Sequence, residues 1–92
     1  MAGYRTVCEA KTKAEMLAAF DTVLNEVVAE NGGTREGHRQ TQLSNVGYFA
    51  GYYDAETYKR VHEWLGTEHP IFGTSYPTPQ KALKAGKRAS QS

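Results

Sequence analysis

Two histidines and two acids between residues 62 and 69 come nearest to a metal site in this sequence. Four residues of types that bind metals fall within eight positions: His62, Glu63, Glu68 and His69. A metalloprotease helix carries two histidines four residues apart in an H-E-x-x-H motif, whereas His62-Glu63 is followed by the tripeptide WLG. Structural zinc sites usually draw on cysteine pairs, and this chain has a single cysteine. We therefore predict no metal site and no cofactor.

Nucleophilic catalysis would depend on Cys8 or on a serine. Only Arg5 and Lys11 lie close enough in sequence to lower the pKa of the Cys8 thiol, and a reactive thiolate needs such help. Cys8 is therefore interpreted as a small buried hydrophobe. Neither Ser44 nor Ser75 lies in a G-x-S-x-G turn, and no Walker loop or G-x-G-x-x-G motif is present. These patterns predict no catalytic residue and no enzyme.

Basic residues are distributed unevenly along the chain. Seven basic and ten acidic side chains give residues 1–80 a net charge of −3, whereas residues 81–92 carry four basic side chains and no acid. A nucleic-acid-associated protein is the alternative functional hypothesis, although the acidic body counts against it. Its contact residues would come from the 35–39 loop and the basic C-terminal helix: Arg35, Arg39, Lys81, Lys84, Lys87 and Arg88. From about residue 87 we expect a flexible basic tail.

Aromatic residues are concentrated between Asn45 and Gly73, which hold seven of the ten rings in the chain. A small domain needs large rings to gain enough buried area, so one interpretation is that these rings form the core. The other is a protein-binding surface, because the rings exceed what one small core can bury and tyrosine and tryptophan dominate interface hot spots. The candidate binding residues are Tyr48, Tyr52, Tyr53, Tyr58, Trp64 and Phe72. The leading functional hypothesis is therefore a non-enzymatic protein-binding module, whose partner is another protein or a second copy.

Length and composition indicate one small globular domain covering residues 1–92. The chain is 39% hydrophobic and 23% charged, which is typical of a folded protein. No apolar run is long enough to span a bilayer, and the N-terminus lacks the apolar centre of a signal peptide. A lone cysteine cannot form an internal disulfide. We therefore expect a cytoplasmic protein with no membrane contact.

The clearest predicted element is a helix that begins at Thr12. Thr12 and Glu15 match the T-x-x-E capping box, and the sequence Asn31-Gly32-Gly33 ends the helix because glycine accepts a left-handed cap conformation. Between them lies one continuous apolar stripe that requires a partner surface: Met16, Leu17, Phe20, Val23, Leu24, Val27 and Val28.

Other segments are less clearly patterned. Residues 1–11 suit a short strand or an extended arm, and residues 32–40 are a loop by composition. For Thr41–Tyr53 we favour a helix over a strand, because a strand would contain two interior glycines. In a helix Gly47 and Gly51 share one face that admits another helix closely, and Phe49 stacks on Tyr53 at a four-residue spacing.

The remaining elements complete a mainly α prediction. Asp54 is expected to cap a helix that Gly66 ends, an irregular connection follows, and Thr78 caps a short last helix with Pro79 at its first position. The predicted fold is a small single-domain helical bundle of three to four helices. The alternative is an α+β fold with a short two-stranded sheet from residues 3–9 and 46–53.

Several short stretches also resemble a known group of proteins. HPIFG at 69–73, PTP at 77–79 and AL-x-AG at 82–86, with NVGYFAGYYDAET and RVHEWLG before them, are similar to segments of small uncharacterised accessory proteins of tailed phages and prophages. The resemblance covers residues 45–88. It implies an intracellular accessory protein of a mobile element that binds a host protein, and it assigns no catalytic residue.

Overall fold

A computed structural model describes residues 3–69 and 77–84 of the chain. Their helices are α1 (Gly3–Glu9), α2 (Lys13–Asn31), α3 (Arg35–Ala50), α4 (Ala55–Glu68) and a short α5 over 79–84. Because the described residues contain no strand, the mainly α bundle is confirmed and the α+β alternative is wrong. No helix of this part of the chain is both long and apolar enough to cross a membrane.

The longest helix, α2, contributes the largest side chains of the core. Thr12 Oγ1 accepts a hydrogen bond from the Glu15 backbone NH at 3.1 Å, as the capping box predicts. The Glu15 carboxylate accepts from the backbone NH of Lys11, one residue earlier than the usual box. Gly32 and Gly33 follow the helix with φ of 78° and 81°, where a side chain would be strained. The buried residues of the stripe are Met16, Phe20, Val23 and Leu24.

The N-terminal segment is helical, which corrects the prediction of a strand or an extended arm. Val7 and Cys8 are 0% and 1% exposed and belong to the core. A helix of seven residues is not stable alone in water, so α1 depends on packing against the rest of the bundle. Gly3 allows a close approach to α2, since a Cβ there would lie 2.8 Å from Val23 Cγ2. That contact depends on the tertiary fold and has no signal in the local pattern.

The predicted loop at 32–40 is confirmed only for 32–34 and is wrong for 35–40, because α3 begins at Arg35. Thr34 is its N-cap, and Thr34 Oγ1 accepts from the Gly37 NH at 2.9 Å. Composition misled the prediction since the first turns of α3 carry mainly polar side chains at an exposed end of the bundle. The cap residue, with Glu36 in the first turn, was the available signal.

The second half of α3 confirms the helix that we favoured over a strand. Leu43, Val46 and Ala50 are fully buried on one face. Gly51 has ordinary helical dihedrals and is buried, but a Cβ there would lie only 1.9 Å from the backbone oxygen of Ala82. The predicted close approach of another helix therefore occurs at Gly51, and that helix is α5.

Helix α4 starts as predicted and ends later. Asp54 Oδ1 accepts from the Thr57 NH at 2.7 Å and caps the helix. Gly66 does not end it, because α4 continues to Glu68. An interior glycine costs about 1 kcal/mol relative to alanine and is tolerated when packing supports the helix. The predicted irregular connection Thr67–Pro77 is therefore helical at its first two residues. Its residues 70–76, which include most of HPIFG, and the predicted basic tail from about 87 lie outside the described residues.

The short helix α5 is held at the junction of α3 and α4. Thr78 caps it as predicted, since Thr78 Oγ1 accepts from the Lys81 NH at 3.3 Å. Ala82 is fully buried against Gly51. The Tyr58 hydroxyl donates a hydrogen bond of 2.5 Å to the Pro77 carbonyl. These contacts place α5 beside the C-terminal end of α3.

Candidate protein-binding surface

Three tyrosines at the C-terminal end of α3 form what we call the tyrosine surface: Tyr48, Tyr52 and Tyr53. They are the large hydrophobic residues that the described part of the chain leaves exposed, at 40%, 54% and 39%. Tyr48 lies in the last turns of α3, and the other two lie in the turn that joins α3 to α4. The tight turn keeps all three within six residues of the chain. All three exposed rings therefore lie at the C-terminal end of α3.

A half-buried phenylalanine supports this surface from below. The ring centroid of Phe49 lies 5.4 Å from that of Tyr52 and 6.1 Å from that of Tyr53. It also lies 5.9 Å from the ring of Tyr4 on α1. Centroid distances of this size are typical of favourable tilted aromatic pairs. Because Phe49 packs against the core, two of the exposed rings rest on a side chain that is already fixed.

The Tyr4 ring, which supports Phe49, is also hydrogen-bonded, whereas the hydroxyls of the tyrosine surface make no hydrogen bond to the described residues. The Tyr4 hydroxyl donates to Gln42 Oε1 and accepts from Asn45 Nδ2, the latter at 3.0 Å. Gln42 is itself only 6% exposed. By contrast, no hydrogen bond joins the hydroxyls of the tyrosine surface to any other described residue. The surface thus offers three hydroxyl groups, two of them on rings that rest on Phe49.

Other predicted members of the surface are placed differently. Tyr58 is 4% exposed, so it is a core residue and its prediction as an exposed contact is wrong. Burial raises the pKa of its hydroxyl. Trp64 is half-buried, with the guanidinium carbon of Arg60 5.8 Å from its ring centroid. Phe72 lies outside the described residues.

Sequence reasoning did not assign two residues of the cluster, Tyr4 and Phe49. Phe49 had a signal, since its four-residue spacing from Tyr53 predicts a stacked pair on a helix. Tyr4 had none, because nothing in residues 1–11 indicates that α1 lies across α3. Its role follows from the tertiary packing alone.

The arginines at the N-terminal end of α3 are paired within the chain. Arg35 Nη2 lies 2.8 Å from Asp21 Oδ1, and its other terminal nitrogen donates to Asn25 Oδ1. Arg39 Nη2 lies 2.7 Å from Glu36 Oε1. This hydrogen bond, and then the charge of Arg39, hold the pKa of Glu36 below its usual value. The positive charge of this end is largely balanced before any ligand arrives.

The two predicted basic groups do not form one surface. Lys81 and Lys84 are exposed on α5, beside the C-terminal end of α3. Arg35 and Arg39 lie at its N-terminal end, and a helix of 16 residues is about 24 Å long. The structure therefore keeps the two groups apart. Lys87 and Arg88 lie outside the described residues.

The residues considered for chemistry are dispersed or buried. Within 3–69 and 77–84, no three metal-ligand side chains lie close enough to hold an ion. The predicted burial of Cys8 is confirmed, and burial raises the pKa of its thiol to about 12. The His69 ring meets the edge of Phe20 at a centroid distance of 4.8 Å, and burial lowers its pKa. His62 packs against Tyr58, with ring centroids 5.9 Å apart.

Comparisons with models of protein families, with curated proteins and with solved structures found no match to this chain. The function is therefore argued from the geometry of its own residues.

Proposed function

We propose that this protein is a non-enzymatic binding module that captures a protein partner through the tyrosine surface. The observation that carries the proposal is the set of three exposed tyrosines, two of them resting directly on Phe49. Exposed rings scattered singly are common on proteins. Three within six residues, two of them above an anchored ring, are not scattered. This arrangement is typical of a protein-binding surface.

The side-chain chemistry favours a protein as the partner. Tyrosine gains a large contact area at a low cost in conformational entropy, because it has only two side-chain torsions. Rings that are already positioned lose less freedom on binding, so more of the interaction energy appears as affinity. The free hydroxyls add hydrogen bonds at the edge of the contact. Tyrosines with these properties are enriched among interface hot spots.

The charges beside the tyrosine surface disfavour a nucleic acid. Tyrosines can stack on bases, but single-stranded binding also needs cations along the phosphate backbone. The turn after Tyr53 carries Asp54 and Glu56. Hydrogen bonds from the backbone NH and then the side chain of Thr57 lower the pKa of Asp54, so its carboxylate stays ionised at neutral pH. A phosphate backbone would meet these two acids as well as Lys81 and Lys84 of α5, so cations do not outnumber anions beside the tyrosines, and the protein partner is preferred.

The resemblance of residues 45–88 to accessory proteins of tailed phages and prophages supports the kind of partner. We propose that the chain is phage-encoded and acts on a host protein in the cytoplasm of the host cell. On this view the tyrosine surface recognises an exposed region of a bacterial protein.

The test is a pull-down with the tagged full chain from bacterial lysate, with and without nuclease treatment. A single stoichiometric protein is expected with the wild type and is lost with the triple variant Tyr48→Ser, Tyr52→Ser, Tyr53→Ser. The matched control, Tyr58→Phe, removes a buried hydroxyl and should retain the partner. Circular dichroism melting of each variant separates a lost contact from a lost fold.

Three results would reject the proposal. The triple variant could capture the same protein as the wild type, or it could fail to fold, which would make the tyrosines structural. The captured material could also disappear with nuclease treatment alone. That last result would favour the basic residues Lys81 and Lys84 and a nucleic-acid role.

A further inference from the structure

A second surface of the molecule lies between α4 and α5, and none of its lining residues belongs to the tyrosine surface. Helices α4 and α5 form a groove of about 530 Å³ between them. Its apolar lining comes from Ala55 and Tyr58 of α4 and from Pro79 and Leu83 of α5. The groove is open, and the described residues provide two helices as its walls. A third helix would complete this packing.

The rim of the groove carries one cation and one anion that have no partner within the described chain. Lys59 and Glu63 both line it, and both are exposed. They are one helical turn apart, but no ion pair joins them to each other or to another described residue. A lysine that precedes a glutamate by four residues is the weaker order for a pair within a helix. Both charges thus remain available to a partner.

We propose that this groove binds a second copy of the same chain, with the two α4 helices antiparallel about a two-fold axis. In such an interface, if residue i contacts residue j of the other copy, then j also contacts i. An axis opposite Val61 brings Lys59 next to Glu63 of the second copy and Glu63 next to its Lys59. This single arrangement forms two symmetry-related ion pairs, so both rim charges of each copy have a partner. A partner with a different sequence would need the opposite order of charges at the same spacing.

The same register is compatible with close packing. It places Ala55, a small residue at one end of α4, across from Thr67 of the second copy. The exposed parts of the Pro79 and Leu83 side chains would be buried against α4 of the second copy. Burial of this apolar area supplies the affinity, and the rim charges select the register. His62 lies between the two charged positions.

Charge exchange tests the pairing directly. Sedimentation velocity of the full chain across a concentration series is expected to show a monomer–dimer equilibrium. Lys59→Glu places four acids at the crossing, and Glu63→Lys places four lysines there. Each single variant should raise the dissociation constant at least tenfold. An equimolar mixture of the two variants, and the double variant Lys59→Glu, Glu63→Lys, should restore wild-type association.

A control variant, Glu26→Lys on the exposed side of α2, makes the same change of charge away from the groove and should leave association unchanged. Wild-type protein that stays monomeric at the highest soluble concentration would overturn the inference. So would association that neither single variant weakens, or a mixture that does not recover it. The pull-down through the tyrosine surface is a separate measurement, so either surface can fail without the other.

Discussion

The two ends of α3 differ in how far the chain itself satisfies their side chains. At the N-terminal end, Arg35 is paired with Asp21 and Arg39 with Glu36. At the C-terminal end, the rings of Tyr52 and Tyr53 are supported below by Phe49 but have exposed outer edges. The sequence predicted a nucleic-acid contact at the charged end as the alternative hypothesis, and either a core or a binding surface at the aromatic end. Whether a side chain already has a partner inside the chain, and not its residue type, therefore decides which end of α3 is available to bind another molecule.

The largest loss of stability is expected from Gly51→Ala at the C-terminal end of α3. A Cβ there would lie 1.9 Å from the Ala82 carbonyl oxygen, so α5 must move. Overpacking of a tight contact costs on the order of 3 kcal/mol. Gly37→Ala at the N-terminal end meets only Thr34 Oγ1, at 3.1 Å, and should change stability by less than about 1 kcal/mol. Urea unfolding of both variants measures the difference, and equal losses would contradict it.

The next largest effect is expected from Phe49→Ala, which removes the support of the tyrosine surface. A fully buried phenylalanine costs about 3–5 kcal/mol when truncated, and for half-buried Phe49 we expect about 2 kcal/mol. Partner capture should fall even at a temperature where the variant is fully folded, since Tyr52 and Tyr53 lose their fixed positions. Phe49→Leu is the matched control that keeps most of the apolar volume. Unchanged capture by folded Phe49→Ala would show that the rings need no support.

A smaller effect is expected from Arg35→Ala at the paired end. The pair with Asp21 is about half exposed on both sides, and exposed ion pairs contribute about 0.2–1 kcal/mol. Stability should fall by that amount, and the loss should shrink in 0.5 M salt. Partner capture through the tyrosine surface should be unchanged. A loss of capture in a folded protein would mean that the charged end takes part in binding.

The smallest effect is a pH dependence of the free energy of unfolding, due to His69, which lies near the N-terminal end of α3. Burial lowers its pKa below 6.5, while Asp21 and Glu68 oppose this shift and Arg39 and Arg35 reinforce it. The unfolded chain therefore binds the proton more tightly, and the free energy of unfolding decreases as the pH falls from about 7 toward 5. His69→Gln should flatten part of this slope in urea titrations at several pH values. A wild-type slope of opposite sign over this range would contradict the assignment.

The fold was predictable where local chemistry acts alone. The caps at Thr12, Asp54 and Thr78 follow from side-chain oxygens that accept backbone NH groups, and the structure contains all three. The close approach at Gly51 was predictable because a helix interior rarely retains glycine without a reason. Residues 3–9 could not be assigned, since a seven-residue helix is stable only through contacts with distant segments.

The candidate site was predictable only in part for a similar reason. The tyrosine content indicated a surface, but Tyr58 points into the core and bonds to Pro77, 19 residues away. Helical spacing alone did not separate Tyr58 from the exposed tyrosines, because the burial of each ring depends on where α5 and α1 lie. The groove between α4 and α5 was also unpredictable, since it exists only once both helices are in place.

One hydrogen bond has a consequence for synthesis of the chain on the ribosome. The Cys8 carbonyl, in the last turn of α1, accepts from Arg60 Nη2 at 2.8 Å across 52 residues. At roughly 5–20 residues per second, about 3–10 s separate the synthesis of these two residues. During that interval α1 lacks both its donor and the α4 surface on which it packs. The helix made first therefore gains its last stabilising contacts only after α4 has emerged, and nascent chains that stop before Arg60 should protect α1 from proteolysis less than the full chain does.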